Sequence, residues 1–224
     1  MNEYNDLPIV IFGTGGASKD AYYWIKNIND KSKRKVFDVR GFVGESHKQI
    51  GDSTFADEIV ITCDEELEIF AERYEQLGLI IPFGSPKLRE SVAKKTFGNS
   101  KFIYPNIIHP SVVIDYEIGT MGIGNHIGPG SVFLSTYTIG DFNYINGDVL
   151  LGHDIKMNNF NSINPSASTA GNVTLGNRNT IGIGATVIQE LSIPDDVTIG
   201  AGTVVIRNCD SNRTYVGNPA RSIK

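Results

Sequence analysis

Four histidines occur in the 224 residues, and one of them, His153, sits in a Gly152-His153-Asp154 run with Gly171 eighteen residues further on. A neutral imidazole near pH 7 can take a proton from an incoming amine or hydroxyl. A glycine leaves its backbone N–H unscreened, and such a donor stabilises the oxyanion of a tetrahedral intermediate by about 2.7–4 kcal/mol. Histidine and glycine at this separation suit acyl transfer, on the condition that eighteen residues make one structural repeat. Asp154 stands where it can act on the imidazole. The competing reading is a surface histidine at a corner with no chemistry. No nucleophilic serine or cysteine constellation accompanies the pair, which favours direct transfer over a covalent acyl-enzyme.

The repeat is present. From Ile127, every sixth residue is Phe133, Ile139, Ile145, Leu151, Met157, Ile163, Thr169, Leu175, Ile181, Val187, Ile193, Ile199 and Val205, and only Thr169 is not plainly apolar. A period of six fits neither a helix at 3.6 nor a lone strand at 2. It is the pattern of a parallel β-helix of hexapeptides, in which three hexads close one triangular coil and the sixth residue points inward. Residues eighteen apart then stack about 4.8 Å apart on adjacent coils. His153 falls in the outward corner column Ser135, His153, Gly171, Gln189, Arg207, so it sits one coil from Gly171. Thr169 shares the inward column of Leu151, with a backbone hydrogen bond as its expected role. Ile118 and Ile123 fall out of phase, so a loop is expected within Asp115–Asn125.

Ahead of the repeat, Leu7–Phe12 is a short apolar run ending in Gly13-Thr14-Gly15-Gly16-Ala17-Ser18-Lys19, followed by a helical face of Ala21, Trp24, Ile25 and Ile28. Strands are expected at Val36–Val43, Ile59–Thr62 and Leu79–Phe83, with helices from Asp64 to Leu77 and from Pro86 to Phe97. Strands alternating with helices imply a small doubly wound parallel sheet. Gly13, Gly15 and Gly16 let the backbone approach a phosphate at a helix N-terminus, although Ser18 stands where the fingerprint has its third glycine. A tight turn that binds nothing is the alternative. Glu45 and the Gly84-Ser85 pair fall at the same carboxyl edge of the sheet, where such folds take ligands. A redox nicotinamide site is disfavoured, because no separate catalytic domain with dehydrogenase chemistry follows.

Composition excludes other classes. Net charge is −5, and no basic run exceeds Lys33-Arg34-Lys35, which argues against nucleic acid. The N-terminal apolar run is too short for a signal core or a membrane span, and Cys63 and Cys209 make neither a disulfide framework nor a zinc pattern. A soluble, cytoplasmic protein is expected. Residues 1–104 carry 14 Lys/Arg and 16 Asp/Glu against 6 and 9 in residues 105–224, which sets the expected domain boundary.

The hexads together with Gly152-His153-Asp154, Ala170-Gly171-Asn172-Val173, Ile181-Gly182-Ile183-Gly184-Ala185, Val216-Gly217-Asn218-Pro219-Ala220-Arg221 and Ile108-His109-Pro110-Ser111 resemble the NeuD/PglD family of bacterial sialic acid O-acetyltransferases and nucleotide-amino-sugar N-acetyltransferases. The likeness spans nearly the whole chain. It implies a Rossmann-like α/β domain (1–104) that holds a nucleotide-sugar through Gly13, Gly15, Gly16, Glu45, Gly84 and Ser85. It further implies a left-handed β-helix domain (105–224), assembled as a homotrimer with acetyl-CoA between neighbouring subunits. His153 would be the general base, Asp154 its partner and Gly171 the N–H donor. Ile183, Gly184, Ala201, Gly202, Gly217, Asn218, Pro219 and Arg221 would line the cofactor groove. Two departures stand out. Gly16-Ala17-Ser18-Lys19 replaces the family's Gly-His-Gly-Lys, and Ser162 replaces a second histidine, so Ser162 is expected near the thiol or acetyl group of the cofactor.

Acetyl transfer to the amine of a nucleotide-linked deoxysugar for bacterial surface glycan synthesis, the 4-amine foremost, is the leading reading. Sugar O-acetylation is the alternative. A non-catalytic nucleotide-binding scaffold and a carbonic-anhydrase-like metalloenzyme are weaker. The last needs three convergent histidines, whereas His126 and His153 are half a coil out of column and His109 lies before the phase break. No metal is expected.

Overall fold

The computed structural model describes residues 4–223. The N-terminal part is a five-stranded parallel sheet in the order β3-β2-β1-β4-β5, built from β1 (Leu7–Phe12), β2 (Phe37–Gly44), β3 (Val60–Cys63), β4 (Leu77–Ile80) and β5 (Phe102–Ile103). Helices α1 (Gly16–Lys31), α2 (Leu67–Ala71) and α3 (Pro86–Thr96) cover it. Parallel strands need crossovers and are buried on both faces, which is why β4 is buried at all four positions. The helix expected from Asp64 to Leu77 is a correction. Only Leu67–Ala71 is α-helical, and Leu77, fully buried, opens β4 against β1 and β5. The strand expected from Leu79 accordingly starts two residues earlier and ends at Ile80.

From Ile107 the chain winds a triangular prism of short parallel strands, which form three sheets. The first face carries pairs such as Tyr144–Ile145 and Ser162–Ile163, the second Leu150–Leu151 and Ser168–Thr169, the third Ile155–Met157 and Thr174–Leu175. Partners lie eighteen residues apart, as the hexads require. Every sixth residue from Ile127 to Val205 points inward, and none is more than 5 % exposed. Each corner is turned by one residue in the left-handed region, at six-residue intervals from Gly124 (φ 66°) to Gly202 (φ 64°). Asn and Asp tolerate that region. Phe142 and Phe160 hold it as well, stacked on each other at 5.3 Å beneath α3.

Two irregularities close the ends of the prism. Ile108 pairs with Ile127 and Val113 with Val132, one residue more than separates Gly119 from Tyr137, so a single extra residue lies between Val113 and Gly119. The loop expected within Asp115–Asn125 is the turn before Gly119–Met121, which is a regular strand, and Ile118 and Ile123 fall out of phase because they face outward, 41 % and 42 % exposed. At the far end Thr198 pairs with Thr214, two residues short of a full coil.

One corner carries a buried ladder of amides. The Oδ1 atoms of Asn106, Asn125, Asn143, Asn161 and Asn179 accept, in turn, the N–H groups of Asn125, Asn143, Asn161, Asn179 and Val197 at 2.8–2.9 Å. The ladder satisfies donors that would otherwise be orphaned inside the turn. Trp24, 7 % exposed, stacks on Tyr144 of the prism at 5.9 Å, and Phe142 completes the core under α3, so the two parts share apolar clusters.

Candidate active site

His153 lies at the corner between the second and third faces, with its side chain 57 % exposed. Its Nδ1 is 2.8 Å from Asp154 Oδ2. Asp154 takes the left-handed turn at φ 58°, which aims its carboxylate back at the imidazole. The other carboxylate oxygen accepts the Thr136 hydroxyl. These hydrogen bonds, that of Thr136 first and that of His153 second, hold the Asp154 carboxyl below the usual carboxylate range. An ionised Asp154 selects the imidazole tautomer with the proton on Nδ1 and leaves the Nε2 lone pair free. Thr136 was missed in the sequence, although it lies eighteen residues before Asp154 and the column count reaches it.

The imidazole lies flat over the next coil. A Cβ at Gly171 would overlap His153 Nε2, Cε1 and Cδ2, so only glycine leaves room for the ring. The Gly171 N–H meets no protein acceptor among the described residues, while its carbonyl accepts from Glu190 N–H. Thr169, two residues earlier, points inward, and its hydroxyl accepts a second bond from Gly152 N–H at 3.3 Å. The Nε2 atom thus lies beside the unpaired Gly171 N–H.

The remaining expected residues form two other groups. Ile183 over Ala201 and Gly184 over Gly202 stack along the edge between the first and second faces, with open space around both glycines. Gly217 and Ala220 hydrogen-bond Val204 across the end of that edge, Asn218-Pro219 is a cis bond, and Arg221 is exposed. Within one chain this edge is separated from His153 by the whole second face. The third group sits at the carboxyl edge of the N-terminal sheet. Gly13 turns at φ 74° against Phe83, whereas a Cβ added at Gly15, Gly16 or Gly84 would meet nothing within 4 Å. Ser18 is buried and donates to Phe12 O at 2.8 Å, so it pins the turn at the helix start. Glu45 is exposed, and its N–H donates to Gln49. The Ser85 hydroxyl caps α3 by accepting from Leu88 N–H, and the Gly84 and Ser85 N–H groups have no protein acceptor among the described residues.

Ser162 requires a correction. It is 2 % exposed in the seam between the two parts, where its hydroxyl accepts from Arg89 at 3.1 Å and donates to Gly84 O at 2.6 Å, away from the open edge. Arg89, at the centre of that seam, gave no sequence signal. His126 is also buried there, its pKa pushed down to about 3, first by burial and then by Arg89. His109 bonds Ser111, so the histidines do not gather. No group of three or more potential metal-ligating side chains occurs among the described residues.

No protein-family model and no curated protein sequence matches the chain. Solved structures do. The chain superposes on the perosamine N-acetyltransferase of Caulobacter crescentus, in complex with CoA and GDP-perosamine, with TM-score 0.84 and 26 % identity over 97 % of each chain. The chain has the fold of the hexapeptide-repeat acetyltransferases. The acetyltransferase domain of PglB from Neisseria gonorrhoeae, in complex with acetyl coenzyme A, shares the fold at TM-score 0.85 and 21 % identity, over 98 % of this chain and all of that one. WeeI from Acinetobacter baumannii shares it at TM-score 0.80 and 21 % identity, over 97 % and 100 %. No described helix is long and apolar enough to cross a membrane.

Proposed function

We propose that the chain transfers the acetyl group of acetyl-CoA to the amine of a nucleotide-linked amino-deoxysugar, the 4-amine foremost, with His153 as general base. The observation that carries this reading is the imidazole lying over Gly171, its Nδ1 held by an ionised Asp154 and its Nε2 free beside an unused N–H. The neutral sugar amine attacks the thioester carbonyl, and Nε2 takes the ammonium proton as the C–N bond forms. The Gly171 N–H meets the developing oxyanion. Collapse breaks the C–S bond, and the imidazolium returns its proton to the departing thiolate. The acceptor class is supported by the GDP-perosamine in the Caulobacter structure and by the open Gly15, Gly16 and Gly84 backbone here.

A homotrimer completes the site in this reading. The second face presents Val132, Leu150, Ser168, Thr186 and Val204 outward, without one charge, whereas the third presents Lys156. Three prisms packed through their second faces set the His153 edge of each against the Ile183–Gly202 edge of a neighbour. The groove then lies between subunits. The test is thiol release from acetyl-CoA with UDP-, GDP- and dTDP-linked 4-amino sugars, with free sialic acid alongside. Release with one nucleotide-amino-sugar supports the reading. Release with sialic acid alone moves it to O-acetylation, and release with none overturns it.

A further inference from the structure

Arg89 is the bulkiest fully buried side chain, at 1 % exposure, and it pairs with no carboxylate among the described residues. Its guanidinium instead donates to Phe142 O (2.7 Å), Phe160 O (2.9 Å), Asn161 O (2.8 Å), Phe83 O and the Ser162 hydroxyl. Burial pushes its pKa down to about 9, so it remains charged at neutral pH. A buried charge without a counter-ion is costly, and such groups are retained where their hydrogen bonds fix a geometry.

The bonds run between the N-terminal part and the prism corner that joins the third face to the first. Phe142 and Phe160 turn a prism corner in the left-handed region, which points their carbonyls at α3. Phe83 precedes the Gly84-Ser85 loop, and Ser162 links that loop to the prism by donating to Gly84 O. Beside this, Glu90 of α3 lies 3.6 Å from Arg178, which also binds Asp196. Helix α1 meets the prism through apolar contacts, Trp24 on Tyr144 among them, without such directionality.

We infer that Arg89 and Ser162 are positioning residues for the acceptor: together they fix the Gly84-Ser85 loop on the prism, so that its free N–H groups are preorganised for the diphosphate of the nucleotide-sugar. The inference rests on the acceptor part of the function proposed above. Preorganisation lowers the cost of binding, and an interaction equal in ground and transition states appears in KM and not in kcat. Ser162→Ala removes the link while leaving Arg89 four carbonyls. Ser162→Thr keeps the hydroxyl, and threonine holds the same column at Thr180 and Thr198, outside the seam.

The experiment measures calorimetric affinity for GDP, UDP and dTDP without acetyl-CoA, and then steady-state kinetics on whichever acceptor is turned over. Ser162→Ala should weaken the preferred diphosphate and raise acceptor KM about 5- to 10-fold, as the loss of one hydrogen bond predicts. The KM for acetyl-CoA, kcat and Tm should stay near wild type, and Ser162→Thr should restore affinity. Unchanged affinity in Ser162→Ala overturns the inference, as does a parallel loss of Tm and both KM values, or a wild type that binds none of the three. Weakened diphosphate binding in a protein that releases no thiol would instead refute acetyl transfer and leave the clasp standing.

Discussion

Gly171→Ala separates the chemistry from the fold. Gly171 has no positive φ, so alanine fits its backbone, and replacing glycine at such a site gains about 0.4–1 kcal/mol through the unfolded chain. The added Cβ overlaps the His153 ring and must drive it off. That ring is 57 % exposed and can swing into solvent, at a rotamer cost of about 0.5–1.5 kcal/mol plus one exposed hydrogen bond to Asp154. The stability terms nearly cancel, and Tm should move by no more than about 2–4 °C. Activity has no such compensation. A base displaced from the reacting amine forfeits its typical contribution of about 10²–10⁴ in rate, which is roughly 2.7–5.4 kcal/mol of barrier. The assay is thiol release at saturating acetyl-CoA and acceptor, beside a thermal melt of the same preparation. Turnover within threefold of wild type refutes the stacked-ring geometry, and a collapse of Tm with activity refutes its assignment to catalysis.

Three further outcomes follow from other parts of the molecule. The His126 pKa is lowered from 6.5 to about 3 in the folded chain, so the unfolded chain binds the proton first; its contribution is complete above pH 6.5 and is lost as pH falls, by about 1.4 kcal/mol per unit between those values. Denaturant melts of His126→Phe should show a shallower acid slope than wild type, and identical slopes would contradict the buried neutral ring. Asn143→Ala orphans the Asn161 N–H in the ladder and should cost about 1–3 kcal/mol, roughly 2–12 °C in Tm; a melt within 1 °C would argue against the ladder's role. Leu150→Lys places a charge on the charge-free second face and should convert the proposed trimer to monomers by light scattering, with activity lost, whereas an intact trimer would exclude that face.

Most of the prism was legible because its rule is local and unforgiving. An inward sixth residue must be apolar whatever surrounds it, and counting by eighteen then places His153 on Gly171. Thr136, and the separation of His153 from the Ile183 edge, follow from the same count. The α/β part was harder to read. The helix expected from Asp64 to Leu77 ran too far, because burial in the parallel sheet claims Leu77 for β4. Arg89 was illegible, since a charge at a helix position reads as solvated and four of its five acceptors come from residues more than fifty positions away. Ser162 was misread for the same reason. Nothing in its neighbourhood along the chain announces Gly84.

The most direct test of the account is the turnover of His153→Asn, which keeps a polar side chain of smaller size at an exposed corner. With acetyl-CoA and whichever acceptor the wild type turns over, kcat should fall about 10²–10⁴-fold while diphosphate affinity and Tm stay unchanged. Near-normal turnover in that variant would contradict the assignment of His153 as the base.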